Sequence, residues 1–238
     1  MAIAKERLLD DDDLYPSSDG EPMGETDKHA RLTMYLLMAL ELFFRNRPDA
    51  YVAGDNFLYW EQGNPKQVVS PDCYVVFGVE KRLRDTYLAW REGGKLPNVV
   101  IEVTSKKTKS VDTKKKFAIY EQILQVPEYF LFDPTADYLR PRLRGYRLFK
   151  GQYEAMFPLD GRLHSEQLGL DLIEEGEWLR LYDPERGASL PTFMEMNRQA
   201  ELDARLAREA REAREKAEAE TARLRAELEA LRQQFHKE

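Results

Sequence analysis

The sequence predicts an α/β protein of the mixed, α+β kind: a mixed sheet flanked by helices, followed by a long C-terminal helix. Three observations predict it. Apolar segments follow the order α-β-β-β-α-β, with further strands behind. The chain has 238 residues, 42% hydrophobic and 11% aromatic, enough for one sizeable domain and an appendage. From Glu195 the composition changes abruptly, and the last 44 residues hold no Gly and no Pro.

Residues 1–24 are acidic and turn-rich (Asp10 to Asp13, Pro16, Ser17, Ser18, Gly20, Pro22) and form an irregular lead-in, draped in part over the fold. Residues 25–190 form the globular part. Thr26 or Asp27 starts a helix that runs to about Asn46. Short strands follow at Tyr51–Ala53, Phe57–Trp60, Cys73–Phe77 and Asn98–Val103. A second helix fits Val111–Leu124, with Asp112 near its start and Val126-Pro127 past its end. Glu128–Asp133 is the next strand, stopped by Pro134. Arg144–Phe149 and Tyr153–Phe157, separated by Gly151, read as an antiparallel hairpin.

Residues 195–238 carry 10 Lys/Arg and 11 Asp/Glu and favour a continuous helix. Its apolar seam is Leu206, Ala210, Ala213, Ala217, Thr221, Leu224, Leu228, Leu231 and Phe235. The mean step is about 3.6 residues, closer to a straight helix than to a heptad. The tail is either a weak coiled coil joining two copies into a homodimer or a solvated single helix.

Several classes are excluded. With 36 basic and 43 acidic side chains the net charge is −7, which rules out a cationic, coat-like nucleic-acid binder but not a local basic patch. One cysteine, Cys73, excludes an intrachain disulfide and a thiolate zinc cluster. The longest apolar stretch, Leu32 to Phe44, is interrupted by Thr33 and Glu41 and too short for a membrane span. No signal peptide is expected ahead of the aspartate run, so the expectation is a soluble protein of a reducing cytoplasm. Gly93-Gly94-Lys95 lacks the spacing of a P-loop, and no Gly-x-Ser-x-Gly elbow exists. Trp60, Trp90 and Trp178 are isolated and read as core residues.

The chemistry lies in acids and lysines. In the strand Asn98–Val103, Val99, Ile101 and Val103 face one way, and Val100, Glu102 and the following Thr104 the other. A carboxylate in so apolar a strand needs solvent, a cationic side chain or a metal. Asp72, in Ser70-Pro71-Asp72, is either a turn residue or an acid at the margin of the next strand. If the two strands are neighbours, Asp72 and Glu102 can share a hard divalent cation such as magnesium.

Six lysines lie within 11 residues: Lys106, Lys107, Lys109, Lys114, Lys115 and Lys116. At about 100° per residue, Phe117, Ile119, Tyr120, Ile123 and Leu124 cover one half of the helix, and Lys116 falls in its middle while Lys114 and Lys115 fall outside. Lys116 therefore either snorkels or meets an acid; Asp112, one turn earlier, is such a partner or a cap. Glu25 shares a helix face with His29, Leu32 and Leu36 if the first helix starts early, and otherwise favours that helix's dipole. His29 reads as a polar neighbour rather than a zinc ligand.

An aspartate after proline, a strand glutamate and a nearby lysine resemble the PD-(D/E)XK nuclease superfamily, and more closely its Uma-type restriction endonucleases of bacteria. The resemblance is carried by Tyr15 to His29 around Glu25, Ser70-Pro71-Asp72, Ile101 to Ser105, Asp112 to Tyr120 and Glu128 to Pro134, and spans residues 15–182. It departs from the superfamily at Thr104, where a Glu-x-Lys pattern has its lysine, and resembles members whose lysine has moved to the following helix.

The resemblance implies a restriction-endonuclease-like core and a magnesium-dependent DNA endonuclease, with manganese as substitute ion. It maps Asp72 and Glu102 onto the metal-binding acids, Lys116 onto the catalytic lysine and Glu25 onto a first-helix acid that orients water or binds a second ion. Lys106, Lys107 and Lys109 are then candidate phosphate contacts. RNA is an alternative substrate. The rival is an inactive nuclease-like scaffold that binds DNA or assembles proteins through its C-terminal helix.

Overall fold

In the computed structural model, residues 14–18, 26–105, 108–137 and 139–235 are described. The chain forms two compact units, Met1–Leu190 and Pro191–Glu238. In the first, helix α1 (Asp27–Phe43) begins where Thr26 caps it, the hydroxyl accepting from His29 N at 3.3 Å, with Asp27 in the first turn suiting the helix dipole. Leu32, Leu36 and Leu40 bury one face of it.

The strands are β1 (Ala50–Ala53), β2 (Phe57–Tyr59), β3 (Val68–Val69), β4 (Cys73–Phe77), β5 (Thr86–Leu88), β6 (Val99–Val103) and β7 (Glu128–Phe132). They continue with β8 (Leu143–Phe149), β9 (Gln152–Met156), β10 (Arg162–Ser165), β11 (Leu170–Glu175), β12 (Trp178–Asp183) and β13 (Ala188–Ser189). The central sheet has the order β1-β4-β6-β7-β8-β9. Its one parallel pair is β6 with β7, joined by the lysine-rich helix; the other pairs are antiparallel. Taken through this sheet, α1, β1, β4, β6, the lysine-rich helix and β7 give the expected α-β-β-β-α-β order, and β8–β9 is the expected hairpin.

Side-chain alternation sets the two faces. Val99, Ile101, Val103, Phe130 and Phe132 pack with the buried face of α1 and with Leu170, Leu172, Leu179 and Leu181. On the opposite face Tyr74, Val76, Val100, Tyr129 and Leu131 pack with Tyr120 and Leu124 of the lysine-rich helix and with Leu58, Val69 and Tyr87. Of the lead-in, Tyr15 is buried against Tyr59 and Trp90, and Tyr59 OH donates to Pro16 O at 2.8 Å.

The further strands expected behind the hairpin form a four-stranded antiparallel sheet, β10-β11-β12-β13. Three features depart from the sequence-based expectations, the first being a small sheet, β3-β2-β5, inserted ahead of β6. Strands of two or three residues are too short to show periodicity, whereas β11 and β12 alternate buried leucines with charged residues and were legible. Trp178 is not core: it is 39% exposed, edge-on to Tyr35. The helix after β6 is π-wound over Val111–Lys116 and again over Ile119–Ile123, with Leu124 N bonded to Ile119 O.

The second unit is helix α2 (Phe193–Phe235). Thr192 and Glu195 cap its start reciprocally, Glu195 N to the Thr192 hydroxyl and Thr192 N to the Glu195 carboxylate. Leu206, Leu224 and Leu228 are each at least half exposed. Among the described residues no helix is long and apolar enough to cross a membrane.

Candidate active site

β4 runs antiparallel to β6 with Cys73 opposite Ile101, so the residue before β4, Asp72, meets Glu102. The pairing is direct: Asp72 N donates to Glu102 Oε2 at 3.3 Å, and Val103 N donates to Asp72 Oδ2 at 2.7 Å. β6 lies between β4 and β7, and Glu102 is fully buried, which removes the alternative of a glutamate facing water.

The lysine-rich helix supplies the cation. Lys116 Nζ lies 2.9 Å from Glu102 Oε2 and 3.7 Å from Asp112 Oδ1, so it meets acids rather than snorkelling. Tyr120 OH donates to the other oxygen, Glu102 Oε1, at 2.6 Å. From α1, His29 Nε2 reaches Asp72 Oδ2 at 3.2 Å.

These contacts set the charges. Burial pushes the Asp72 carboxyl up, but the His29 hydrogen bond, the Lys116 and His29 charges and the Val103 N–H outweigh it and hold it below the ordinary aspartate range. Burial pushes Glu102 well up, and the neighbouring Asp72 and Asp112 add to this against Lys116 and Tyr120. Asp112 is raised too, by burial first. Lys116 is desolvated, yet Glu102, Asp72 and Asp112 together keep it firmly protonated.

Thus Asp72, Glu102 and Lys116, drawn from three separate segments, gather at one place. Glu25, Lys106 and Lys107 lie outside the described residues. Lys109 is exposed, its backbone N bonded to Ser105 O at 2.9 Å. Tyr120 was missed as a site residue because its ring served only as an apolar marker of the buried arc. Asp112 was seen as a lysine partner, but its complete burial was not foreseen; its place four residues before Lys116 was the available signal.

A mixed sheet in α-β-β-β-α-β order, with acids meeting across two adjacent strands and a lysine on the following helix, is the arrangement expected above of a restriction-endonuclease-like protein. The chain belongs to the Uma2 family, whose model, described as "Putative restriction endonuclease", matches residues 7–181. Among solved structures it is similar to a "putative nuclease belonging to DUF820" from Anabaena variabilis, at 14% identity over 62% of this chain and 76% of that chain, with a TM-score of 0.46. No curated protein matches the chain.

Proposed function

We propose that this chain is a magnesium-dependent endonuclease that hydrolyses phosphodiester bonds of DNA in the cytoplasm, manganese serving as substitute ion. The observation that carries the reading is the meeting of Asp72 with Glu102 beside the Lys116 ammonium, 2.9 Å from Glu102.

The donor set suits a hard cation. Among the described residues, both hydrogen bonds to the Asp72 carboxylate fall on Oδ2, which leaves Oδ1 for an ion. No group of three or more His, Cys, Asp or Glu side chains among the described residues is placed to hold a metal ion by itself. Two carboxylates completed by water and a phosphate oxygen are the habit of magnesium. Asp72 and Glu102 would hold such a cation, which would supply polarisation of the phosphate and a lowered pKa of water.

The chain's own groups do the rest. His29 and Val103 N–H fix the Asp72 carboxylate, and Tyr120 fixes one oxygen of Glu102. Lys116, protonated, stabilises the negative charge that grows on the phosphate or positions the attacking water. Glu25 is proposed to orient a further water, and Lys106, Lys107 and Lys109 to hold flanking phosphates, which adds affinity without sequence readout. The half-exposed leucines of α2 favour a homodimer through that helix, tested by sedimentation of a Leu224→Lys/Leu228→Lys double variant.

The decisive test is nicking of supercoiled plasmid with magnesium or manganese, an RNA panel run alongside. Asp72→Asn, Glu102→Gln and Lys116→Met are each expected to lower the rate at least about a hundredfold while the fold persists, as for groups acting directly on a transition state. Nicking that survives all three overturns the reading, and an absence of cleavage across ions and substrates points to a scaffold.

A further inference from the structure

One buried group is left over by this chemistry. The Asp112 side chain is 2% exposed, and among the described residues no donor reaches either of its oxygens with the distance and angle of a hydrogen bond. The Thr104 and Thr108 hydroxyls are its nearest polar neighbours, and that of Thr104, also buried, has no well-formed bond of its own. A buried carboxylate so weakly answered is costly, and in a native protein such an atom calls for an explanation. The nearest cation is Lys116, 3.7 Å from Asp112 Oδ1 and too far for a hydrogen bond.

Lys116 itself is under-used. An ammonium has three donor protons, and its one hydrogen bond of good length goes to Glu102 Oε2. That bond blocks the same oxygen a cation would need. We infer that Asp112 and Thr104 form a second seat for the Lys116 ammonium, taken up when Glu102 engages the divalent cation. The inference rests on the ion site proposed above. A shift of about 1 Å closes the present gap to hydrogen-bonding distance, well within the reach of a flexible four-carbon stem. The π-wound helix keeps Asp112 and Lys116 on one row, so no backbone change is needed. Asp112 is then a positioning residue: it draws the ammonium off the metal-binding oxygen without losing it from the site.

The test is a double-mutant cycle read by calorimetric titration with Mn²⁺ alone, no nucleic acid present. Asp112→Asn is expected to weaken Mn²⁺ binding about tenfold, a typical size for coupled sites, because the lysine then competes for Glu102 without an alternative. In a Lys116→Met background the same change should alter the affinity less than about twofold, since no lysine remains to be seated. Equal weakening in both backgrounds overturns the inference and makes Asp112 a direct partner of the ion. No weakening in either also overturns it.

Binding that is lost in Asp72→Asn keeps the ion site standing whatever the cycle returns. A wild-type protein that binds no Mn²⁺ overturns both ideas. Should either variant fail to fold, the Lys116 ammonium resonance of ¹⁵N-lysine-labelled wild type decides. It must move on addition of Mg²⁺, and an unmoved resonance in ion-bound protein refutes the second seat.

Discussion

Tyr120→Phe removes one oxygen and nothing else. The ring is fully buried between Glu102 and Tyr129, so Phe keeps its volume and opens no cavity. The lost bond is a 2.6 Å donation to a buried carboxylate oxygen, and hydrogen bonds to charged groups contribute about 1.5–3 kcal/mol. A loss of about 2 kcal/mol at pH 8 is therefore expected, which at a urea m-value of about 2 kcal/mol/M moves the midpoint down by about 1 M. The pH dependence has a definite sign. Glu102 sits well above the ordinary glutamate range in the folded protein, so its charge weighs against folding at high pH and ceases to do so as the pH falls and it takes up a proton. Removing a donor that favours the ionised form raises Glu102 further, so the deficit of the variant should shrink on acidification. Urea unfolding at pH 8 and pH 5 measures both. An unchanged midpoint at pH 8, or a deficit equal at the two pH values, refutes the assignment of Tyr120 as the partner of an ionised Glu102.

Two further outcomes follow from geometry. Glu128 is 1% exposed and is held by Arg147, Ser165 and the amides of Glu166 and Gln167, so Glu128→Gln should cost about 3 kcal/mol, roughly 10 °C in Tm by calorimetry. The specific nicking activity of the protein that stays folded should be unaltered. At Gly54 a Cβ would stand 2.0 Å from Asp72 O, a backbone atom that cannot swing away. Gly54→Ala should therefore displace Asp72, lowering stability by about 2 kcal/mol and nicking at least tenfold, as measured by urea unfolding and plasmid assay.

What the sequence disclosed, and what it hid, divides along physical lines. β6 was legible because Val99, Ile101 and Val103 alternate with Val100 and Glu102, and the period of a strand leaves no freedom in which side chain faces where. Lys116 was selected by phase at 100° per residue, yet the helix that carries it is not a regular α-helix. The two π turns raise its mean winding to about four residues per turn. Asp112, Lys116, Tyr120 and Leu124 then fall on one straight row of spacing four, and three of them are wholly buried. The same phase argument set Ile123 beside Lys116 in the buried arc, but Ile123 is 50% exposed, as the altered winding requires. Nothing in the residue types of 111–123 announces π turns, since neither glycine nor proline occurs there. The four-stranded sheet after the hairpin was available in the alternation Leu170, Leu172 and Leu179, Leu181, with Gly169 and Gly176 at positive φ in the turns.

The central sheet contains its own comparison for the ion site. Glu102 and Glu128 are the same residue type on adjacent parallel strands, and both are buried almost without remainder. Glu128 is met by a guanidinium, a hydroxyl and two backbone amides, so its charge is compensated on the spot and it ties the central sheet to the segment from Ser165 to Gln167. Around Glu102, three carboxylates share Lys116 and His29 as their ion-pair partners among the described residues. Burial raises Glu102 and Asp112 instead of being answered by further cations. A sheet that needed only to fold would gain by replacing such a cluster with apolar side chains of similar volume, because the desolvation of unmatched charges opposes folding. What distinguishes the two glutamates is the supply of positive charge, and its shortfall at Asp72, Glu102 and Asp112 is the physical ground for proposing a divalent cation there.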